Sequence, residues 1–222
     1  MSVVPDEVEE RLAVPQGQGR EAGWKLLEKL VKDRGESVFK LGQGHWQKNG
    51  LRAVHTGDGV VAMKSWVDFS GTIPVQVQEW RRREPGCSPY AKTITVGHSI
   101  HFDCKKVAGA SMPLKASNFH SKQKRQMMSH ASSGATCFLL VHFNARELKT
   151  RDEPAATWAV PIYPGHEFWE ANNAGEVMML SRSAAETHGV AVEWNKVGKD
   201  RTYRPDILKA VTELREMRCD DE

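Results

Sequence analysis

The chain is 222 residues long, which leaves room for one domain with a sizeable core and little more. Its 40% hydrophobic and 27% charged residues exclude wholesale disorder, and no apolar run reaches membrane-spanning length. A net charge of +3 excludes nothing by itself. Its distribution says more: acids crowd the ends, whereas Arg81, Arg82, Arg83, Lys105, Lys106, Lys115, Lys122, Lys124 and Arg125 gather in the middle. The four cysteines form no CxxC pair, and Cys104 and Cys137 sit in apolar runs, as expected of free thiols in a reducing, intracellular setting.

Residues 1–18 read as a polar, flexible arm. From 20 to 33 the pattern turns helical, with Trp24, Leu27 and Val31 at spacings of three and four and Gly35 as a stop signal. Strand-like runs follow at 37–41, 51–55 and 60–69, with Gly-rich punctuation between them. Residues 72–98 are mixed, holding three prolines, Trp80 beside Arg81, Arg82 and Arg83, and a short strand candidate at 93–96. A strand is expected over 99–105, then a helix capped by Ser117 or Asn118 and ended by Gly134. The apolar run 135–143 suits a strand buried on both faces. Further strands are expected at 157–162, 176–180 and 190–194. Residues 205–217 form an amphipathic helix with Ile207, Leu208, Val211 and Leu214 on one side. The expected architecture is α/β, a central mixed sheet flanked by helices. It divides into the arm, a core over 19–160 with a basic insertion around 72–98, and a C-terminal extension over 161–222 packed on the core.

Side chains alternate across a strand. Ile100, Phe102 and Cys104 therefore share an apolar face, and His101, Asp103 and Lys105 share the other. Asp68 likewise points away from the face of Val67 and Phe69, so pairing of these two strands brings Asp68 and Asp103 together. Two converging carboxylates suit Mg²⁺ (or Mn²⁺), which takes hard oxygen ligands and keeps positions open for water and phosphate. A lysine at the edge balances charge developing on a phosphate under attack. The acid-x-Lys triplet is a weak signal alone, since Glu147–Leu148–Lys149 repeats it, and a surface ion pair is the plain alternative.

Phe119, Gln123, Met127 and Ala131 recur every fourth residue, with Gln123 the polar intruder in the stripe. A glutamine satisfied by backbone is the alternative to a site residue. Lys122, Lys124 and Arg125 beside it suit a phosphate backbone. Trp80 with Arg81, Arg82 and Arg83 suits base stacking and phosphate contact, or else a solvated hairpin. Glu28 stands at the margin of the first helix's apolar stripe, where it reaches a metal or is an ordinary exposed acid.

A helix with Glu, a strand with Asp-x-x-Gly, a strand with Asp-x-Lys and a helix with Gln, in this order, resemble the PD-(D/E)xK nuclease core. The likeness is strongest to the RecU-type Holliday junction resolvases. Residues 64–71 (KSWVDFSG) look like their first metal-binding strand, and 100–105 (IHFDCK) like their acid-and-lysine strand. Residues 114–143 (LKASNFHSKQKRQMMSHASSGATCFLLVHF) are similar to their Gln-bearing helix, Gly turn and apolar strand. The resemblance spans about 19–145. It implies a restriction-endonuclease-like core, with Asp68 and Asp103 as metal ligands, Lys105 as the charge-stabilising lysine, Gln123 as a site-ordering residue and Glu28 as a metal helper. It further implies a homodimer that cuts symmetric strands of four-way, branched DNA with Mg²⁺, in the cytoplasm of a bacterial or phage-infected cell. The link from Asp68 to Asp103 is longer than the family pattern, the stalk expected near 41–62 shows only Gly-rich signals, and nothing past 160 adds to the likeness.

Three rivals stand beside this reading. One keeps the chemistry on linear duplex or flap DNA. Another is a non-catalytic DNA-binding protein on a nuclease-like scaffold. The third, a zinc protein using some of the nine histidines such as His98 and His101, lacks the usual second Cys/His pair.

Overall fold

A computed structural model describes the chain apart from residues 1–3, 13–22, 50, 57–58, 65–66, 82–89, 116–117, 148–151, 198–201 and 221–222. Its first element is a helix where a flexible arm was expected. α1 (Asp6–Leu12) forms because Val4, Val8 and Leu12 recur every fourth residue, and all three are buried in the core. The arm reading over 1–18 is thus corrected at 4–12, where burial of this stripe outweighs the polar flanks. α2 (Gly23–Lys40) runs past Gly35 and takes in residues expected as a strand. Val38 continues the stripe of Val31 two turns on. Gly35 is a contact rather than a stop: a Cβ there would lie 2.7 Å from the Trp46 carbonyl oxygen.

β1 (His45–Lys48) joins the main sheet, whereas β2 (Leu51–Thr56) and β3 (Gly59–Lys64) pair as a separate hairpin. β4 (Phe69–Arg81) and β5 (Tyr90–Val107) are far longer than the sequence suggested and pair from Phe69↔Phe102 out to Arg81↔Tyr90. The basic insertion around 72–98 is therefore the outward continuation of two core strands. β1 accompanies β4 only as far as Thr72, so residues 73–81 and 90–99 form a two-stranded ribbon. Pro74 fits there because one side of β4 has no strand beside it among the described residues. Ile73 and Val75 are buried on one face of the ribbon, and Gln76, Gln78, Thr93 and Thr95 are exposed on the other.

β6 (Ser111–Pro113) leads to α3 (Ser121–Ser132), which begins later than expected. Its cap is His120, whose side chain accepts from the Lys122 amide, rather than Ser117 or Asn118. Gly134, at φ +91°, turns the chain into β7 (Thr136–Phe143), which runs parallel to β5. Then follow β8 (Arg146–Glu147), β9 (Asp152–Glu153), β10 (Ala156–Pro161), α4 (Glu167–Asn173), β11 (Met179–Ser181) and α5 (Arg182–His188). The chain closes with β12 (Val190–Ala191), β13 (Trp194–Val197), β14 (Thr202–Pro205) and α6 (Ile207–Asp220).

The main sheet has the order β1-β4-β5-β7-β10-β12 and is mixed, with β5 and β7 its parallel pair. α1, α2 and α6 cover one face and α3, α4 and α5 the other. This is the α/β architecture, a central mixed sheet between helices, that the sequence led us to expect. On the α2 side, Phe69, Phe102 and Phe138 stack across three strands at centroid spacings of 5.0 and 4.7 Å. The C-terminal region is more than a cap. β12 completes the sheet beside β10, and Ile207, Val211 and Leu214 share one core cluster with Leu27 and Val31 of α2.

Candidate active site

The pairing Phe69↔Phe102 places Asp68, at the bend before β4, beside Asp103 of β5. Gly71 makes that placement possible. β1 lies so close to β4 that a Cβ at Gly71 would stand 2.1 Å from the His45 carbonyl oxygen, so the Asp-x-x-Gly spacing is a packing requirement. Asp68 Oδ2 accepts a hydrogen bond from the Cys104 amide at 3.0 Å. The Asp68 and Asp103 side chains are themselves hydrogen-bonded. Asp103 is only 1% exposed, and Lys105 Nζ forms an ion pair with it. Strand alternation turns Asp103 and Lys105 toward the α3 side, while Phe102 and Cys104 enter the core on the α2 side. The structure thus brings Asp68, Asp103 and Lys105 together.

Burial and crowding decide the charge state. The Asp103 carboxyl is held well above the usual carboxylate range, first by burial, then by the Asp68 charge and hydrogen bond; Lys105 opposes the shift. Lys105 is raised: burial works to lower it, but the charge and hydrogen bond of Asp103, with the charge of Asp68, outweigh that. The Cys104 thiol is pushed well up by burial and by Asp68, Asp103 and Glu28, which makes it an inert core thiol.

A buried Asp103 with a half-buried Asp68 pressed against it is a donor set that a divalent cation fits, since it would relieve the repulsion between them. Mg²⁺ suits a site with one or two carboxylates because it keeps several waters and takes phosphate oxygens. Among the described residues no group of three or more His, Cys, Asp or Glu side chains is gathered for a metal. His98 Nε2 lies 2.8 Å from Thr136 Oγ1, and His101 Nδ1 lies 3.1 Å from Ser70 Oγ. Burial, and then the charge of His130, lower His101 to about 4.

The other expected residues are placed as follows. Glu28 is 7% exposed and forms an ion pair with Lys48 at the end of β1. Gln123 is half-buried near the start of α3. Lys122 and Arg125 are exposed on α3, whereas Lys124 donates to Asn172 Oδ1 at 2.6 Å and Asn173 Oδ1 at 2.7 Å, tying α3 to α4. Lys106, next to Lys105, points to the opposite face of β5 and is lowered by burial. Arg81 is exposed at the ribbon's end and ion-paired with Glu79 at 2.7 Å. Arg82, Arg83, Leu148 and Lys149 lie outside the described residues. Sequence reasoning missed Asn49, which grips the Asp68 bend; only its place directly after β1 could have signalled it.

An α/β protein whose mixed sheet carries two acids and a lysine side by side has the make-up of a nuclease-like core. Residues 92–199 match the family model described as recombination protein U, so the RecU-type likeness holds over that segment, and with it a place in Holliday junction resolution and recombination. The match takes in Asp103, Lys105 and Gln123, begins after Asp68 and Glu28, and runs well past 160, where motifs had given no likeness. Among curated proteins, none matches the chain. No helix among the described residues is long and apolar enough to cross a membrane.

Proposed function

We propose that the chain is a Mg²⁺-dependent endonuclease that resolves four-way DNA junctions as a homodimer. The observation that carries this reading is the convergence of Asp68, Asp103 and Lys105 on one face of the sheet. Asp68, oriented by the Cys104 amide, and Asp103 would hold the cation, with Mn²⁺ able to take its place. When bound there, such a cation supplies a water of lowered pKa and neutralises charge on the scissile phosphate. Asp103, whose carboxyl is pushed up by burial and by Asp68, would hold the cation in its ionised form. Lys105, already oriented by Asp103, donates to a phosphate oxygen as negative charge builds. Gln123 helps order the site from the start of α3. Lys122 and Arg125 on α3, Arg81 at the ribbon's end, and Arg82 and Arg83, which follow it in sequence, contact the phosphate backbone. Lys124 and Lys106 support the fold in this reading, Lys124 through α4 and Lys106 on the far face of β5.

The test offers a labelled four-way junction, a linear duplex of the same sequence and a flap to the protein in Mg²⁺. We expect the junction to be cut at least about tenfold faster than the other two, a preference worth about 1.4 kcal/mol. Equal cutting of duplex or flap would move the substrate. Tight junction binding with no cutting of any substrate would leave a non-catalytic scaffold.

A further inference from the structure

We infer that Asn49, acting with Ser70 and His101, is a positioning residue that fixes where Asp68 stands; this rests on the metal-site reading above. Asp68 has no helix or strand of its own. It occupies a bend between residues outside the description and the first residue of β4. Its carboxylate is useful only if that bend is held, because the partner, Asp103, is fixed in the middle of the sheet.

Asn49 holds the bend at three points. Its backbone N–H donates to the Asp68 carbonyl oxygen at 2.7 Å. Its side-chain Nδ2 has two hydrogens, and they meet two acceptors: the Val67 carbonyl oxygen at 3.3 Å and Ser70 Oγ at 2.7 Å. Asn49 thus bonds to residues 67, 68 and 70, on both sides of the carboxylate and at its own backbone. Because Ser70 Oγ accepts from Asn49, its own hydrogen is free for His101 Nδ1, 3.1 Å away. That assigns His101 the tautomer with the proton on Nε2. His101 shares a strand face with Asp103, so the chain Asn49–Ser70–His101 links the bend carrying one acid to the strand carrying the other.

The strut has a foundation. Asn49 follows Lys48 directly, and Lys48 is ion-paired with the buried Glu28 of α2. Trp46 of the same strand donates its ring N–H to the Val31 carbonyl oxygen at 3.0 Å. β1 is therefore pinned to α2 at two points before the chain reaches Asn49. Glu28 acts at a distance in this scheme: it anchors the strand that presents Asn49 instead of ligating the cation. Partners that orient metal ligands typically change metal affinity by about 10- to 100-fold when removed.

The experiment titrates full-length protein with Mn²⁺ without DNA, following free Mn²⁺ by electron paramagnetic resonance, for wild type, Asn49→Ala, Ser70→Ala and Ser70→Thr. The expected result is an affinity loss of about tenfold or more for Asn49→Ala and Ser70→Ala, with Ser70→Thr, which keeps the hydroxyl, near wild type. In junction cutting the two alanine variants should need correspondingly more Mg²⁺ for half-maximal rate and recover most of the rate when it saturates. Unchanged Mn²⁺ affinity in both alanine variants, with wild type binding normally, overturns the inference and leaves the metal-site reading intact. Should Asn49→Ala not fold, the Ser70 pair decides alone. A wild type that binds no Mn²⁺ overturns the metal-site reading, and this inference with it.

Discussion

Asp103 and Lys105 illustrate how little a triplet means until its surroundings are known. The ion pair between them is present, as the plain alternative required, yet Asp103 is buried at 1% exposure, where a decorative surface pair would be open. What separates it from the copy beginning at Glu147 is burial: Glu147 is exposed although Asp152 stands opposite it on β9, whereas Asp103 is enclosed beside Asp68 of the preceding bend. Burial and that second acid push the Asp103 carboxyl up, so protons and divalent cations compete for the same oxygens. Mn²⁺ affinity should accordingly rise with pH in wild type; an affinity independent of pH between 6 and 8 would speak against Asp103 as a ligand.

The buried histidines give a second prediction at this scale. Burial is the main cause that lowers His142 to about 3, with Lys106 and Arg182 adding to it. Unfolded, the ring takes a proton near pH 6.5; folded, it does not until far lower pH. The unfolded state therefore binds more protons in between, so the contribution of His142 to stability is full above about 6.5 and is lost as pH falls toward 3. Asp103 slopes the opposite way, because its folded pKa is raised, so the informative quantity is a difference. The change in urea midpoint on going from pH 5 to pH 7 should be less positive, or more negative, in His142→Gln than in wild type. Equal slopes would show that His142 is not buried in its neutral form.

Among the elements, the junction of β1 with β4 carries the most consequence for the site. Gly71→Ala places a methyl group against the His45 carbonyl and the Trp46 backbone. Overpacking of this kind costs about 1–3 kcal/mol, and relief must come by moving β1, which presents Asn49. Chemical denaturation should show that loss together with weakened Mn²⁺ binding. Phe102→Ala, at the centre of the three-ring stack, should cost about 3–5 kcal/mol with a smaller effect on metal affinity, since its side chain enters the opposite face from Asp103.

The elements also show where the sequence was legible. Alternation in 99–105 assigned both faces of β5 correctly, and the unbroken apolar run at 135–143 is β7, buried on both sides. Gly35 misled because a glycine that admits Trp46 looks the same in sequence as one that ends a helix. The ribbon was hidden by Pro74, which argues against a strand until one knows that β1 has already ended at Thr72. α1 was missed because Val4, Val8 and Leu12 are too few to stand out among acids, and their burial depends on α2. Asn49 could not be found from spacing: its partners at 67, 68 and 70 become neighbours only when β1 and β4 pair.

For the molecule as a whole, the sheet closes only with β12, and one core cluster draws on α1, α2 and α6 together. A chain cut at 160 should therefore fail to fold. The family match reaching 199 agrees with a unit larger than the motif-bearing half. The proposed homodimer is checked by sedimentation equilibrium, where a species of twice the 24.9 kDa chain mass is expected at micromolar concentration. The central claim, that Asp68 and Asp103 form a metal-dependent cutting centre, meets its most direct test in single-turnover cleavage of a four-way junction. Wild type should cut in Mg²⁺ and stop on chelation, while Asp103→Asn loses about a thousandfold or more in rate, on the order of 4 kcal/mol, and still binds the junction in Ca²⁺. Cleavage by Asp103→Asn at the wild-type rate, or wild-type cleavage that survives removal of divalent cations, would contradict the account.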